Sequence, residues 1–279
     1  MRFLISCLIF LGLSAIAVSS AAVASDVPNE LQGVGITEHL NGAVSIQNLT
    51  FKDETGKNVH LADYFHKGHP VLLTLVYYEC PNLCNYLLNG LVKSLQKLDW
   101  TPGKQFDIVT VSFNPKEGPE LAARKKAAYI ASYGNPAAAA GWHFLTGQED
   151  QISQLAKEVG FGYRYDSQEK QFAHTTLVTI LTPEGKISRY LYGIDFPKQD
   201  LRLALLEASN GKIGTIVDRV LLFCYHFDPK TGKYSVVISR VMTAACTGTV
   251  VIFGGYLVAF WRRQRFLPNS DDDHAKKGA

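Results

Sequence analysis

The run Val71-Leu72-Leu73-Thr74-Leu75-Val76-Tyr77-Tyr78-Glu79-Cys80-Pro81-Asn82-Leu83-Cys84 decides how this chain is read. Val71 to Tyr78 is an apolar run, the mark of a central strand buried on both faces. Asn82 to Leu98 then carries apolar residues at Leu83, Leu87, Leu88, Leu91, Val92, Leu95 and Leu98, a helical spacing. The cysteines therefore stand at a strand-to-helix corner. With a helix starting near Pro81, positions 80 and 84 lie close together at its first turn, because residues i and i+4 share a face. Such a corner suits metal-thiolate or disulfide chemistry.

Outward from the corner, the chain alternates. Val44 to Phe51 reads as a strand, Asp53 to Lys57 as a turn, and Val59 to Leu61 as the partner strand of a hairpin. Leu61 to Phe65 fits one helical turn. Phe106 to Phe113 is a second buried strand, Gly118 to Tyr133 a helix, and Asn135 to Gly141 a connection. Trp142 to Leu145 is a short strand and Gln148 to Val159 a helix. Leu177 to Leu181 and Ile187 to Tyr192 pair across the turn Thr182-Pro183-Glu184-Gly185-Lys186. Pro197 to Ala208 is a helix that begins with proline, and Ile213 to Phe223 reads as helical. This is the thioredoxin-type order: an α/β domain with a central mixed sheet flanked by helices. It puts the cysteines at the carboxyl end of a central strand, where α/β folds place their sites.

The chain has 279 residues, is 47% hydrophobic and 19% charged, and carries a net charge of +3 from dispersed basic residues. That balance gives no nucleic-acid surface. Arg2, the apolar run Phe3 to Val18 and Ala22-Val23-Ala24 read as a signal peptide over residues 1–24, with Cys7 inside it. A linker follows over 25–42, then the folded domain over 43–212 and a juxtamembrane segment over 213–239. Val241 to Phe260 is uncharged and long enough to cross a bilayer, so 240–261 is expected to be a transmembrane helix. Trp261 and then Arg262, Arg263 and Arg265 mark the cytoplasmic side, with 262–279 as the tail. The reading is a single-pass protein with its main domain exported, on the periplasmic side, where a close thiol pair is a disulfide, a redox couple or a metal site.

Three readings of Cys80 and Cys84 stand side by side. As metal ligands, two soft thiolates select copper(I) or zinc, and His174, just before the strand Leu177 to Leu181, is the third candidate. Two cysteines and a histidine suit copper in either oxidation state, whereas zinc wants a fourth ligand or a water. As a dithiol-disulfide exchanger, the pair has three intervening residues where two are usual. The exchange enzymes' proline before the later strand is also missing at Ala173-His174-Thr175. As a structural disulfide, the pair would have no need of a strand-to-helix corner.

Three stretches carry a resemblance. They are Tyr78-Glu79-Cys80-Pro81-Asn82-Leu83-Cys84, Val109-Thr110-Val111-Ser112-Phe113-Asn114-Pro115 with Gly118-Pro119-Glu120, and His174-Thr175 ahead of a strand and a Pro-Glu-Gly turn. Over roughly Val44 to Ala208 the chain resembles the Sco/SenC family of copper-binding assembly proteins for cytochrome c oxidase. The resemblance implies that Cys80, Cys84 and His174 bind copper in a thioredoxin-like domain. It implies delivery of that copper to the binuclear centre of oxidase subunit II or another copper-receiving membrane protein, or upkeep of that subunit's reduced cysteines. A membrane-tethered thiol-disulfide oxidoreductase and a copper-dependent redox sensor are the alternatives, each with Cys80 and Cys84 as a redox-active disulfide. The chain departs from the family in three places: Asn85 replaces the usual proline, Ala173 an aspartate that often precedes the histidine, and the anchor is C-terminal.

Other candidates are weaker. Cys224-Tyr225-His226 is a possible second ligand pair near the membrane, more simply an interfacial aromatic segment. Cys246 packs in the membrane helix. His39, His60, His66, His69 and His143 read as surface or structural residues. Glu79 is expected to raise the thiol pKa by like-charge repulsion.

Overall fold

The computed structural model describes residues 33–80, 83–210, 225–228, 233–236 and 238–265. The expected signal peptide with Cys7, the helical segment 213–223, Cys224 and the tail beyond 265 lie outside the described residues.

A five-stranded mixed sheet positions the corner. Its inner strands are β4 (Val71–Val76) and β5 (Asp107–Ser112), every residue of which is buried. In this numbering β1, β2 and β3 are Gly35–Ile36, Thr50–Lys52 and Asn58–His60. The strand β6 (Trp142–Leu145) lies parallel to β5, and β5 lies parallel to β4. On the other side of β4, β9 (Leu177–Leu181) runs antiparallel, followed by β10 (Ile187–Tyr192). The order is β10-β9-β4-β5-β6. Burial on both faces explains the unbroken apolar runs. The polar exceptions are satisfied inside the sheet: Thr74 Oγ1 and Trp142 Nε1 each donate to Thr110 Oγ1 at 3.0 Å.

The helices cover the sheet. They are α1 (Leu83–Leu95), α2 (Pro119–Tyr133), α3 (Glu149–Glu158) and α4 (Lys198–Ala208). The helix α1 approaches the 193–197 loop so closely that a Cβ on Gly90 would stand 1.7 Å from the Ile194 carbonyl oxygen. Ser94, one turn on, donates to the Phe196 carbonyl at 2.5 Å. Glu54, in the β2–β3 turn, ties α2 to β6: its carboxylate pairs with Lys126 and accepts from Phe144 N–H at 3.1 Å. Burial acts to raise the Glu54 carboxyl, but the neighbouring His143 and Lys126 side chains outweigh it and bring it down to about 2.

The structure differs from the sequence reading in three places. Val44 to Phe51 is not one strand; only Thr50–Lys52 pairs, with Asn58–His60. Val44, Ile46 and Leu49 are buried, yet Val44 N–H bonds the Gly185 carbonyl and Leu61 N–H the Leu49 carbonyl. Their alternation reports burial of a core-lying loop, not strand pairing. Residues 35–36, placed in a linker, form β1, which pairs with β7 (Phe161–Asp166). The sequence reading also passed over the hairpin of β7 with β8 (Gln171–His174), whose register sets Tyr163 opposite His174.

Beyond the domain, β11 (Tyr225–Asp228) pairs with β12 (Lys233–Val236), and α5 spans Ile238–Arg265. Among the described residues α5 is the one helix long and apolar enough to cross a membrane, over Ala245–Arg263 with a mean hydropathy of 1.3.

Candidate metal centre

Three elements converge at the carboxyl end of β4. The chain leaves β4 at Tyr77 and turns, with Cys80 N–H bonding the Tyr77 carbonyl at 3.3 Å. Cys84 follows in the first turn of α1, and its N–H donates to Cys80 Sγ at 3.4 Å. Tyr77 N–H donates to Cys84 Sγ at 3.5 Å. Neither cysteine is in a disulfide, and both are buried. From the far side the last residue of β8 brings His174, whose Nε2 stands 3.4 Å from Cys84 Sγ. Cys80 Sγ, Cys84 Sγ and a ring nitrogen of His174 all lie within 4.8 Å of one another. Two metal–sulfur bonds of about 2.3 Å span ~4.6 Å end to end, so the three donors match the reach of a single ion. No other such group of three occurs among the described residues.

A backbone carbonyl sets which ring nitrogen of the neutral histidine carries the proton. His174 Nδ1 lies 2.7 Å from the Thr175 carbonyl oxygen, which can only accept. Nδ1 therefore carries the proton and Nε2 presents its lone pair toward the thiols. A backbone carbonyl holding the far nitrogen is the usual way a protein sets a ligating imidazole. Aromatic rings hold the imidazole in place: Phe113, Tyr77 and Phe161 lie 5.1, 5.9 and 6.2 Å away between centroids.

The electrostatics favour a protonated Cys84 thiol. The hydrogen bond to Cys80, then burial, push the Cys84 thiol well above its usual range; the charges of Cys80 and Glu117 add to this and Tyr77 N–H opposes it. The acidic neighbour acting on Cys84 is thus Glu117, not Glu79. Glu79 is exposed and gives the corner its backbone N–H instead.

Two further side chains hold this corner: Glu117, which the sequence reading passed over, and Asn85, which it named only as a departure from the family. Glu117, buried in the loop after β5, accepts from Tyr78 N–H (2.7 Å), Glu79 N–H (2.9 Å) and Ser112 Oγ (2.5 Å). Asn85 Nδ2 donates to the Cys80 carbonyl at 2.8 Å, while its Oδ1 accepts from Lys125 Nζ and Tyr129 OH, each at 3.3 Å. The asparagine is therefore a second attachment of the corner, to α2. No local pattern announces the longer of these contacts: Glu117 lies 39 and 38 positions from Tyr78 and Glu79, and Asn85 lies 40 and 44 from Lys125 and Tyr129.

The remaining sequence candidates stay apart from the centre. His143 faces Glu54 at 3.9 Å and Tyr64 at 4.4 Å between centroids. His39 Nδ1 meets the Glu158 carbonyl at 3.0 Å. Cys246 is exposed on α5, and the backbone at His226 pairs with Ser235.

The family model described as SCO1/SenC matches residues 38–204. The chain belongs to the SCO1/SenC family. Among solved structures it is similar to a proposed electron transfer protein of Aquifex aeolicus VF5, at 26% identity and a TM-score of 0.54, over 62% of this chain and 96% of that one. It is also similar to BsSco, a member of the Sco family of cytochrome c oxidase assembly proteins, at 23% identity and a TM-score of 0.49, over 63% and 99%. Arabidopsis thaliana ScoI, solved with copper bound, is 17% identical with a TM-score of 0.46, over 60% and 99%. No curated protein matches the chain. Its fold is thioredoxin-like, as the element order implied, and its donor set, two soft thiolates and an imidazole, fits copper.

Proposed function

We propose that this SCO1/SenC protein is a copper chaperone that takes part in assembling the copper centre of cytochrome c oxidase. Copper is its cargo, held by Cys80 Sγ, Cys84 Sγ and His174 Nε2. The observation that carries the reading is the convergence of these three donors within 4.8 Å, with the histidine tautomer already set. Thiolates favour copper(I) and the imidazole extends the set to copper(II). Zinc fits less well, since a closed zinc site takes four ligands and three are gathered here.

The residues divide the work. Cys80 and Cys84 release protons as copper enters, because only thiolates ligate. The raised Cys84 thiol makes that uptake tighten as pH rises, and it keeps Cys84 itself a poor nucleophile in the metal-free protein. Nδ1–H of His174 stays on the Thr175 carbonyl throughout. The flanking rings of Tyr77 and Phe113 exclude water from the imidazole face. The i and i+4 thiols also suit reversible closure to a disulfide by exchange with a partner protein's disulfide, which is reduced to its dithiol as Cys80 and Cys84 are oxidised. A thiol-disulfide oxidoreductase acting on a metalloprotein, or a copper-dependent redox sensor, would use the same pair.

The proposal places residues 43–212 on the exported, periplasmic side, after a signal peptide over 1–24. The helix over 240–261 would serve as anchor and 262–279 as a cytoplasmic tail. The apolar span of α5 and the arginines at 262, 263 and 265 support that orientation. Oxidase subunit II is the proposed recipient.

Transfer distinguishes the readings. The full chain in detergent, loaded with one copper(I), is mixed with the copper-free, reduced soluble domain of an oxidase subunit II. Copper is expected to move to that domain and leave Cys80 and Cys84 empty. Failure to transfer, with rapid reduction of the same domain in its disulfide form at the expense of Cys80 and Cys84, would replace delivery by thiol exchange.

A further inference from the structure

Glu117 is an unusual residue to find where it is. The residue is buried, 7% exposed, and no cation pairs with its carboxylate among the described residues. Burying a carboxylate without a cation is costly unless hydrogen bonds satisfy it. Here the donors are two consecutive backbone amides of the corner, Tyr78 and Glu79, and the Ser112 hydroxyl at the end of β5. The acceptor must be a carboxylate: three donors converge, and an amide side chain would set its own NH2 against one of them. Charge-assisted bonds to backbone N–H are among the stronger hydrogen bonds a protein makes. The amides held are those just before Cys80, and Asn85 holds the carbonyl of Cys80 itself. The peptide units from 78 to 80 are thus fixed by side chains on both flanks.

We infer that Glu117 is the positioning residue of this centre: it holds the Tyr78–Glu79 backbone so that Cys80 Sγ faces Cys84 and His174 before any metal arrives. The inference rests on the copper reading for its consequence, but the clamp is a property of the empty protein. Glu117 touches neither cargo nor ligand atom and acts through the backbone of Cys80.

The test is Glu117→Gln in the full chain, with hydrogen exchange at the Tyr78 and Glu79 amides of the metal-free protein and copper(I) affinity by competition with a chelator. The expected result is faster exchange at those two amides and copper(I) affinity lower by roughly 10–100-fold, the usual cost of losing a residue that orients a ligand. Unchanged or tighter copper binding with faster exchange would overturn the positioning role, and unchanged exchange would overturn the clamp. Should Glu117→Gln not fold, Ser112→Ala removes one of the three donors. It is expected to show the same two changes, smaller, and their absence would equally overturn the inference. If the unsubstituted protein binds no copper, the chaperone reading fails on its own, while the exchange data still decide whether Glu117 holds the corner.

Discussion

Replacing Cys80 or Cys84 with serine is expected to lower copper(I) affinity by about two to three powers of ten, and replacing both to abolish stoichiometric binding. A closed four-ligand site in a small metal domain is worth roughly 10–16 kcal/mol, so one thiolate accounts for about 3–4 kcal/mol. Each 1.4 kcal/mol is about a factor of ten in affinity. Serine keeps the size of the side chain but offers a hard oxygen that stays protonated at neutral pH and does not suit copper(I). The fold is expected to survive, because Cys80 and Cys84 are small parts of a core built on fully buried strands. Chelator competition on the full chain, beside a thermal melt, reads both quantities. Retention of tight copper by the double variant would remove the thiolates from the account.

His174→Ala is expected to separate the two oxidation states. Copper(I) is content with two thiolates, so its affinity should fall on the order of tenfold, about 1.4 kcal/mol. Copper(II) needs the harder imidazole nitrogen, and its binding, together with the thiolate charge-transfer band, is expected to disappear. The structure makes this loss specific: His174 sits on β8, away from the corner's own hydrogen bonds, and only its Nε2 is directed at Cys84. A copper(II) spectrum unchanged in His174→Ala would mean that some other group completes the site.

Much of the domain is legible along the chain because its determinants are local. The apolar runs of β4 and β5 announce strands buried on both faces, and Thr182 to Lys186 announces the β9–β10 hairpin. The spacing of Cys80 and Cys84 brings the two thiols together at the start of a helix, and the structure keeps them adjacent, with Cys84 in α1 and Cys80 in the turn after β4. The missing parts depend on distant partners. β1 is two residues long and exists only because Gly35 and Ile36 meet Gly162 and Phe161. The buried loop around Val44 and Ile46 alternates like a strand while its backbone bonds reach Gly185 and Ala62.

The same division runs through the centre. His174 is visible in the sequence as a histidine just before the strand Leu177 to Leu181, but the hairpin that carries it is not. Its tautomer, set by the neighbouring carbonyl, is a matter of geometry alone. Asn85, legible only as a departure from a family habit, turns out to bond the Cys80 carbonyl and reach Lys125 and Tyr129. Glu79 looked like the acid beside the thiols because it adjoins Cys80 in sequence. In space that place belongs to Glu117, 33 positions after Cys84 and folded back by the β5–α2 loop.

The central claim is that one copper is held by Cys80, Cys84 and His174 together. X-ray absorption at the copper edge of the full chain loaded with copper(I) tests it most directly. The account predicts two sulfur scatterers near about 2.3 Å and one nitrogen near about 2.0 Å, the nitrogen absent in His174→Ala. A first shell of nitrogen and oxygen without sulfur, or one indifferent to substitution of these three residues, would contradict it.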